Sequence, residues 1–130
     1  MLDTNICIYL IREKSEKVLE KYKEQKIGEV VISVVTLAEL EFGVQNSSST
    51  EKSANALSNF LVGVDVLDFT AKAAQEYSFV RANLKKKRTT IGPFDTLIAA
   101  HAMAEGCTLV TNNTGEFERV DGLSIIDWTM

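Results

Sequence analysis

Four acidic residues from distant parts of the chain are the first candidates for chemistry. In chain order they are Asp3, Glu39, Asp95 and Glu116. Asp3 directly follows the first apolar residues, and each of the others lies near the start of a helix-like segment or turn. In an open α/β sheet, ligands bind at the carboxyl ends of the strands, near the point where the strand order reverses. We therefore expect the four carboxylates to meet in one pocket at that end.

A pocket of this kind would need protons or a cation to be stable. Two like charges roughly 4 Å apart repel by about 4 kcal/mol at an effective dielectric near 20. Carboxylates are hard oxygen ligands, and without a histidine or thiolate beside them they favour Mg²⁺ or Mn²⁺. One or two such ions could activate a water molecule and stabilise negative charge on a phosphate group. The chemistry predicted from these residues is hydrolysis of a phosphodiester bond.

Each acid also has a purely structural explanation. Thr36 and Glu39 have the T-x-x-E spacing of a capping box. Asp95 would complement the dipole of a helix in its first turn, Asp3 could be an N-cap, and Glu116 could serve a short helix in the same way. Taken one at a time, the structural explanation is favoured, but helix starts that share one end of a sheet bring their carboxylates together. Capping and metal binding are then compatible roles.

The elements that must position these acids alternate between short strands and helices, which predicts an α/β domain with a parallel sheet. The predicted strands are 1–2, 30–35, 64–69, 108–111 and 123–126. Apolar residues at helical spacing predict helices within 6–11, 37–44, 54–61, 73–84 and 94–105, and 112–115 is expected to be a turn. The first strand is short enough to leave room for a residue or two upstream. No repeat or linker interrupts the alternation, so we expect one domain over residues 1–130.

The only proline of the chain marks the helix that carries Asp95. Gly92 and Pro93 precede Asp95, and proline is most favourable in the first turn of a helix. Gly106 follows the apolar pattern at the position where a glycine commonly ends a helix. The sequence therefore predicts that Asp95 lies in the first turn of this helix.

Composition places the chain among ordinary globular proteins. It has 130 residues, 45% of them hydrophobic and 25% charged. The apolar run at 6–11 is too short to cross a bilayer and has no basic segment before it, so we expect a cytoplasmic protein without membrane contact. The formal net charge of −4 argues against a general nucleic-acid coat, which would normally carry a basic excess.

Several other residues have a plainer explanation than chemistry. Cys7 and Cys107 are isolated thiols in a chain with one histidine and no CxxC motif, so we expect two core cysteines. His101 lies six residues after Asp95, about 240° around the helix, and is expected to pack or hydrogen-bond locally. Four aromatic residues are expected in the core: Phe42, Phe60, Phe79 and Trp128.

Basic residues cluster at the end of one predicted helix. A run of four at 85–88 follows Arg81 by one turn, where cations also suit the helix dipole. Such a run is more often a solvated surface, although its nearness to the helix of Asp95 makes it a candidate for binding an RNA backbone. The candidates for this contact are Arg12, Arg81, Lys85, Lys86, Lys87 and Arg88.

Four segments closely resemble the PIN-domain toxins of the type II toxin–antitoxin systems called VapBC. In order they are LDTNICIYL, ISVVTLAELEFGV, IGPFDTLIAAHAM and LVTNNTGEFERVDGL. Each segment alone is weakly specific, but the four in this order cover nearly the whole chain and are strongly specific together. The resemblance implies a PIN-like, three-layer α/β/α domain with a mostly parallel central sheet.

The resemblance also implies the roles of particular residues. The three acids at the centre of such sites match Asp3, Glu39 and Asp95. Many PIN domains have an aspartate right after the last catalytic strand, where this chain has asparagines at 112 and 113. Glu116 then takes the fourth acidic place, which leaves the fourth ligand, Asn113 or Glu116, and the number of metal ions open. Residues expected to support the acids are Thr4, Asn5, Thr111 and Asn113.

By the same resemblance, the chain is expected to be a Mg²⁺- or Mn²⁺-dependent endoribonuclease and a homodimer. Its inhibitor would be a VapB-type antitoxin whose C-terminal segment occupies a groove beside the active site. Toxins with the TNNT segment look like tRNA endonucleases, so cleavage in the anticodon loop of initiator tRNA is the activity it suggests. Composition and spacing by themselves indicate no particular RNA.

Two other functions fit an α/β domain with acidic residues. A receiver-like or phosphatase-like domain would use one aspartate as a phosphoryl acceptor on Mg²⁺. It would need a second aspartate close after the first, or a lysine at a strand end, and the DTN segment provides neither. A catalytically silent PIN-like module that binds RNA or protein is the other alternative, and it predicts no cleavage of RNA with any divalent metal.

Overall fold

The computed structural model describes all 130 residues, which form seven helices and four short strands. The helices are α1 Thr4–Ile11, α2 Glu16–Lys23, α3 Val34–Gln45, α4 Thr50–Leu61, α5 Ala71–Lys86, α6 Pro93–Ala104 and α7 Thr114–Phe117. The strands are β1 Val31–Ser33, β2 Asp65–Leu67, β3 Leu109–Val110 and β4 Ile125–Ile126. None of the helices is both long enough and apolar enough to span a membrane.

Leu2 joins the strands into one parallel sheet. It bridges Ile32 of β1 on one side and Val110 of β3 on the other. β1 pairs with β2 and β3 pairs with β4, both in parallel, so the order across the sheet is β2, β1, Leu2, β3, β4. The chain fills one side of Leu2 first and then the other. The strand order therefore reverses at Leu2, and the residue after it, Asp3, stands at the switch point.

Helices cover both faces of this sheet. Side chains alternate between the faces along a strand. Leu2, Ile32 and Val110 pack with α1 to α4 in one core, while Met1 and Leu109 belong to a second core with α5, α6 and α7. The predicted α/β class and the three layers are confirmed.

The start of α3 differs from the prediction. The β-branched run at 30–35 forms a strand only as far as Ser33, and the chain turns into α3 at Val34. Ser33 is the N-cap, because its Oγ accepts a hydrogen bond from the Val35 amide over 3.1 Å. Thr36 lies buried inside the helix, so the predicted capping box of Thr36 and Glu39 is wrong. Glu39 is thereby free for another role.

Two further helices were not predicted from the sequence pattern. α2 was not predicted because it is short and mostly charged, with only Val18 of its eight residues buried. The expected turn at 112–115 instead enters the one-turn helix α7, which begins at Thr114. The strand at 64–69 is present as β2, at one edge of the sheet.

Some predicted core residues lie elsewhere. Phe42 and Phe79 are 67% and 62% exposed, so their assignment to the core is wrong. Trp128 and Cys7 are buried as expected, whereas Cys107 is only partly buried. The helical spacing of both phenylalanines is compatible with the core, but α3 and α5 each turn that face outward.

Candidate active site

Asp3 is held rigidly at the centre of the sheet edge. It is the N-cap of α1, and its Oδ1 accepts a hydrogen bond from the Ile6 amide over 2.9 Å. Its own amide donates to the Val110 carbonyl over 3.0 Å, which fixes it to β3. Burial raises the pKa of Asp3, opposed by hydrogen bonds from Thr111 and Ile6. The negative charge of Glu39 and Asp127 raises it further. Asp3 is therefore both the N-cap of α1 and a carboxyl group whose charged form is disfavoured by its surroundings.

Glu39 is connected to the helix start at Asp3 by a hydrogen bond from Thr4, the residue after Asp3. It lies in the second turn of α3, and Thr4 donates its hydroxyl proton to Glu39 Oε1 over 2.7 Å. The Thr4 hydroxyl also lies 3.4 Å from that of Thr36. This contact connects the helix that starts at the switch point with the helix that follows β1. Thr4, expected as a supporting residue, thus holds Glu39 directly.

Asp95 shows that the acidic residues influence one another. It is in the first turn of α6, after the N-cap Gly92 and Pro93. Burial, followed by the charges of Glu116, Asp3 and Glu39, raises the pKa of Asp95 to about 6. A hydrogen bond with Glu116 acts in the same direction. Carboxylates from four separate segments therefore repel one another at one place, and a shared proton or a cation relieves that repulsion.

Glu116 is oriented by the polar turn after β3. Asn113 donates from Nδ2 to Glu116 Oε2 over 3.1 Å. The turn itself is fixed by the buried Thr111, whose hydroxyl accepts from the Asn113 amide over 2.9 Å. Asn113 is thus a neighbour of Glu116 in the same site, and both remain candidates for the fourth ligand position.

These residues border one cleft of about 960 Å³ at the carboxyl ends of the strands. Three of the predicted acids line it, Asp3, Glu39 and Asp95, and the fourth, Glu116, acts on it through Asp95 and Asn113. The remaining walls are polar at one end and apolar elsewhere: Thr4, Asn5, Ile8, Val35, Ala38, Phe42, Phe94, Leu97, Asn113 and Phe117.

The donor chemistry of the cleft fits a hard divalent cation. All four acids offer oxygen ligands, and no cysteine lines the cleft. In the side-chain positions of this structure, no three acidic, histidine or cysteine residues are close enough together to enclose an ion. Glu39 is turned toward Thr4 and Glu116 toward Asn113. Metal binding would require the four carboxylates to come closer together than they are in this structure.

The apolar walls are the part of the cleft that sequence reasoning missed. Phe42 lies one helical turn after Glu39, and Phe94 immediately precedes Asp95. Both are more than half exposed. For Phe42 the spacing was an available signal, because a residue three positions after an acid lies on the same helical face. Phe94 is adjacent to Asp95, and its spacing gave no such signal.

None of the six candidate basic residues lines the cleft. Arg12 lies in an adjoining groove, which shares Ile8 and Glu39 with the cleft. Arg81 contacts the ring of Tyr77 and lies near Pro93. The run at the end of α5 is exposed, and its Lys87 pairs with Asp121 over 3.0 Å.

His101 has a structural role on the far side of α6. It is fully buried, and its Nδ1 is 2.7 Å from Ser33 Oγ, the N-cap of α3. Burial lowers the pKa of His101. The absence of His101 from the cleft agrees with its predicted direction on the helix. Its Nε2 lies 3.9 Å from Glu105 Oε1, one turn along α6, so the expected local contact is present beside the distant one to Ser33. The contact with Ser33 connects the helix of Asp95 to the helix of Glu39.

Fold and site together define an α/β domain with an acidic cleft at the switch point of a parallel sheet. The family model described as PIN domain matches residues 1–123. The tRNA(fMet)-specific endonuclease VapC of Shigella flexneri is 44% identical over 129 residues, which are 99% of this chain and 97% of that protein. The chain therefore belongs to the PIN-domain family, among the VapC ribonucleases. PIN-domain ribonucleases generally depend on divalent metal ions.

Solved structures agree with this family. DNA-bound VapBC from Salmonella typhimurium superimposes with a TM-score of 0.93 at 40% identity, covering 98% of this chain and 96% of that chain. VapBC2 from Rickettsia felis, bound to a DNA fragment from their promoter, gives 0.90 at 38% identity, covering 98% and 97%. The predicted family resemblance is confirmed.

Proposed function

We propose that this chain is the toxin of a toxin–antitoxin pair and acts as an endoribonuclease that hydrolyses a phosphodiester bond of tRNA with Mg²⁺ or Mn²⁺. The observation that supports it most is that Asp3, Glu39 and Asp95 line one cleft, where burial and the charges of the neighbouring acids raise the pKa of Asp95 to about 6. A protein keeps such mutual repulsion where the acids serve a function. Its relatives are named as ribonucleases.

Asp3, Glu39, Asp95 and Glu116 are the residues that would hold the metal. When bound, a divalent cation would neutralise these carboxylates, lower the pKa of a water molecule and balance charge on the scissile phosphate. The chain's own part is positioning. Asp3 is fixed by the Ile6 amide, and Thr4 and Asn113 hold Glu39 and Glu116. Asn5 and Thr111 complete the polar end of the site.

The reaction forms a bond from a water oxygen to phosphorus and breaks one bond from phosphorus to a ribose oxygen, which takes up a proton as the water gives one up. With a cation bound, Asp95 would be ionised and would serve as a ligand. The apolar side chains of Val35, Leu97 and Phe117 line part of the cleft. Apolar surroundings lower the local dielectric and so strengthen electrostatic interactions.

Initiator tRNA is the substrate we propose. The relatives from Shigella flexneri and Salmonella typhimurium are both named tRNA(fMet)-specific endonuclease VapC, at 44% and 40% identity over nearly the whole chain. The anticodon loop is the expected place of the cut, because its unpaired nucleotides can enter a cleft that a duplex cannot.

Two partners belong to this proposal. The similar solved structures are VapBC complexes, which supports a VapB-type antitoxin as the inhibitor. We also propose a homodimer, for which light scattering of the purified chain should give about twice the mass of 14.4 kDa.

The test compares cleavage of initiator tRNA and an elongator tRNA by antitoxin-free protein. We expect a single cut in initiator tRNA with Mg²⁺ or Mn²⁺, and none with EDTA. Asp95→Asn should lower the rate by roughly 100-fold or more, since it removes a charged ligand. Asp65→Asn, which changes an exposed aspartate on β2, is the matched control and should cleave normally. Failure to cleave any RNA with any divalent metal would favour the catalytically silent module.

A further inference from the structure

Two exposed phenylalanines in the cleft have no packing role that explains them. Phe42 is 67% exposed and Phe94 is 54% exposed. Seven large apolar side chains of this protein are exposed, and these two are the only ones that line the cleft. A large apolar side chain left in water beside a functional site commonly contacts a ligand.

The two rings are placed by the helices that carry the acids. Phe42 is one turn beyond Glu39 on α3, and Phe94 directly precedes Asp95 at the start of α6. Each ring is therefore carried by the same helix as one of the acidic residues. A phosphate held among the acids would have its neighbouring nucleotides within reach of these rings.

We propose that Phe42 and Phe94 are stacking platforms for unpaired bases next to the scissile phosphate, so that the substrate must present a single-stranded segment. This inference rests on the proposed ribonuclease function. Aromatic side chains bind unpaired bases by stacking, whereas bases inside a duplex already stack on one another and are not available.

The surroundings suit an RNA strand as the occupant of this cleft when no antitoxin is bound. A second groove of about 770 Å³ adjoins the cleft, with Ile8 and Glu39 bordering both. Its lining includes Arg12, Lys52 and Ser47 to Ser49, together with one further acid, Glu13. Gly43, the residue after Phe42, also borders it. A strand whose base lies on Phe42 can therefore continue with its phosphates over cationic and hydroxyl groups, as nucleic-acid grooves require.

The experiment uses an RNA hairpin with the anticodon loop sequence of initiator tRNA and with 2-aminopurine at each loop position in turn. Single-turnover cleavage gives the half-saturating protein concentration and the maximal rate. The fluorescence of 2-aminopurine, recorded in EDTA before cleavage can occur, reports stacking of that base. The variants are Phe42→Ala, Phe42→Leu, Phe42→Trp and the same three at Phe94. Phe79→Ala is the matched control, because Phe79 is an equally exposed phenylalanine away from the cleft.

We expect the Ala and Leu variants to raise the half-saturating concentration roughly tenfold or more, with a smaller change in maximal rate, and to lose the fluorescence change at one loop position. The Trp variants and Phe79→Ala should match the wild-type protein.

Leu variants that bind and stack like the wild-type protein would overturn the inference. The rings would then serve an apolar contact with a partner polypeptide. Failure of the ribonuclease proposal gives a different result. In that case neither the wild-type protein nor any variant cleaves the hairpin.

Discussion

Thr4 and Glu39 join two of the helices that begin at the acidic edge of the sheet, α1 and α3. The hydroxyl of Thr4 donates to Glu39 Oε1 over 2.7 Å, although the residues are 35 positions apart. Asp3, the N-cap immediately before Thr4, is positioned by the same turn. One helix start therefore orients two acids, and a change at Thr4 should disturb the site without removing any charge.

Replacing Thr4 by valine tests this relationship. Thr4→Val keeps the shape of the side chain and removes its donor, so we expect a loss of about 10- to 100-fold in metal affinity or cleavage rate. Thr4→Ser, which retains the hydroxyl, should recover most of the activity. Metal titration and single-turnover cleavage measure both quantities. Equal activity of the valine and wild-type proteins would show that Glu39 needs no help from Thr4.

Metal binding should stabilise the folded protein through Glu116. A ligand that binds only the folded state at 100 times its Kd adds about 2.7 kcal/mol, which would appear as a rise of several degrees in Tm on adding Mg²⁺ or Mn²⁺. Glu116→Gln should reduce this rise. Glu118→Gln changes an exposed neighbour two residues away and should leave it unchanged. Thermal unfolding with and without EDTA provides the measurement, and an identical metal response of the two variants would remove Glu116 from the ligand set.

Asp95 should make metal-free protein less stable as the pH rises. Its pKa of about 6 in the folded state lies above the ordinary value of 3.8, so folding favours its neutral form. The favourable contribution is complete below about pH 4 and is lost as the pH passes through about 6. The shift corresponds to about 3 kcal/mol, which solvent screening at this half-buried group reduces to about 2 kcal/mol.

In EDTA, Asp95→Asn should therefore be more stable than the wild-type protein at pH 7, with a flatter stability curve between pH 4 and 7. The curve should not become completely flat, because the pKa of Asp3 is raised in the same direction. Denaturant unfolding at several pH values gives the curve, with Asp65→Asn as the control. Parallel curves for Asp95→Asn and wild-type protein would mean that Asp95 is not under this repulsion.

Arg12 should contribute more to RNA binding than the basic run of α5. It borders the groove that adjoins the cleft, whereas Lys85 and Lys86 are exposed at the end of α5 and line neither depression. Arg12→Ala should weaken binding and reduce the slope of log affinity against log salt concentration by about 0.7, the value for one phosphate contact with a single strand. Lys85→Ala should leave the slope unchanged. A larger effect of Lys85→Ala would indicate that RNA binds along the basic end of α5 instead.

Much of the site could be predicted because it depends on local patterns. Asp3 after the first apolar pair, and Asp95 after the only proline, are tied to helix starts that the sequence specifies by itself. Parallel strands place such helix starts at one edge, and so the proximity of the acids follows from the α/β alternation. The four segments that resemble VapC toxins, in the same order along the chain, predicted the family, and the comparisons confirmed it.

The sequence could not determine which way a helical face points or which distant residue a side chain contacts. Phe42 and Phe79 have the spacing of core residues, but whether that face meets another element depends on how α3 and α5 pack. Ser33 rather than Thr36 caps α3, because the position where strand β1 ends is set by its pairing with β2 and Leu2.

By itself, the sequence determined the order of the strands and of five of the seven helices, the acids that follow the strands, and the family. Only the tertiary structure decided that Thr4 holds Glu39, that His101 contacts Ser33, and that two phenylalanines face the cleft. The physical reason is range. Caps, turns and periodicity depend on neighbours within a few residues, whereas these contacts join residues 35 and 68 positions apart and exist only after the helices have packed on the sheet.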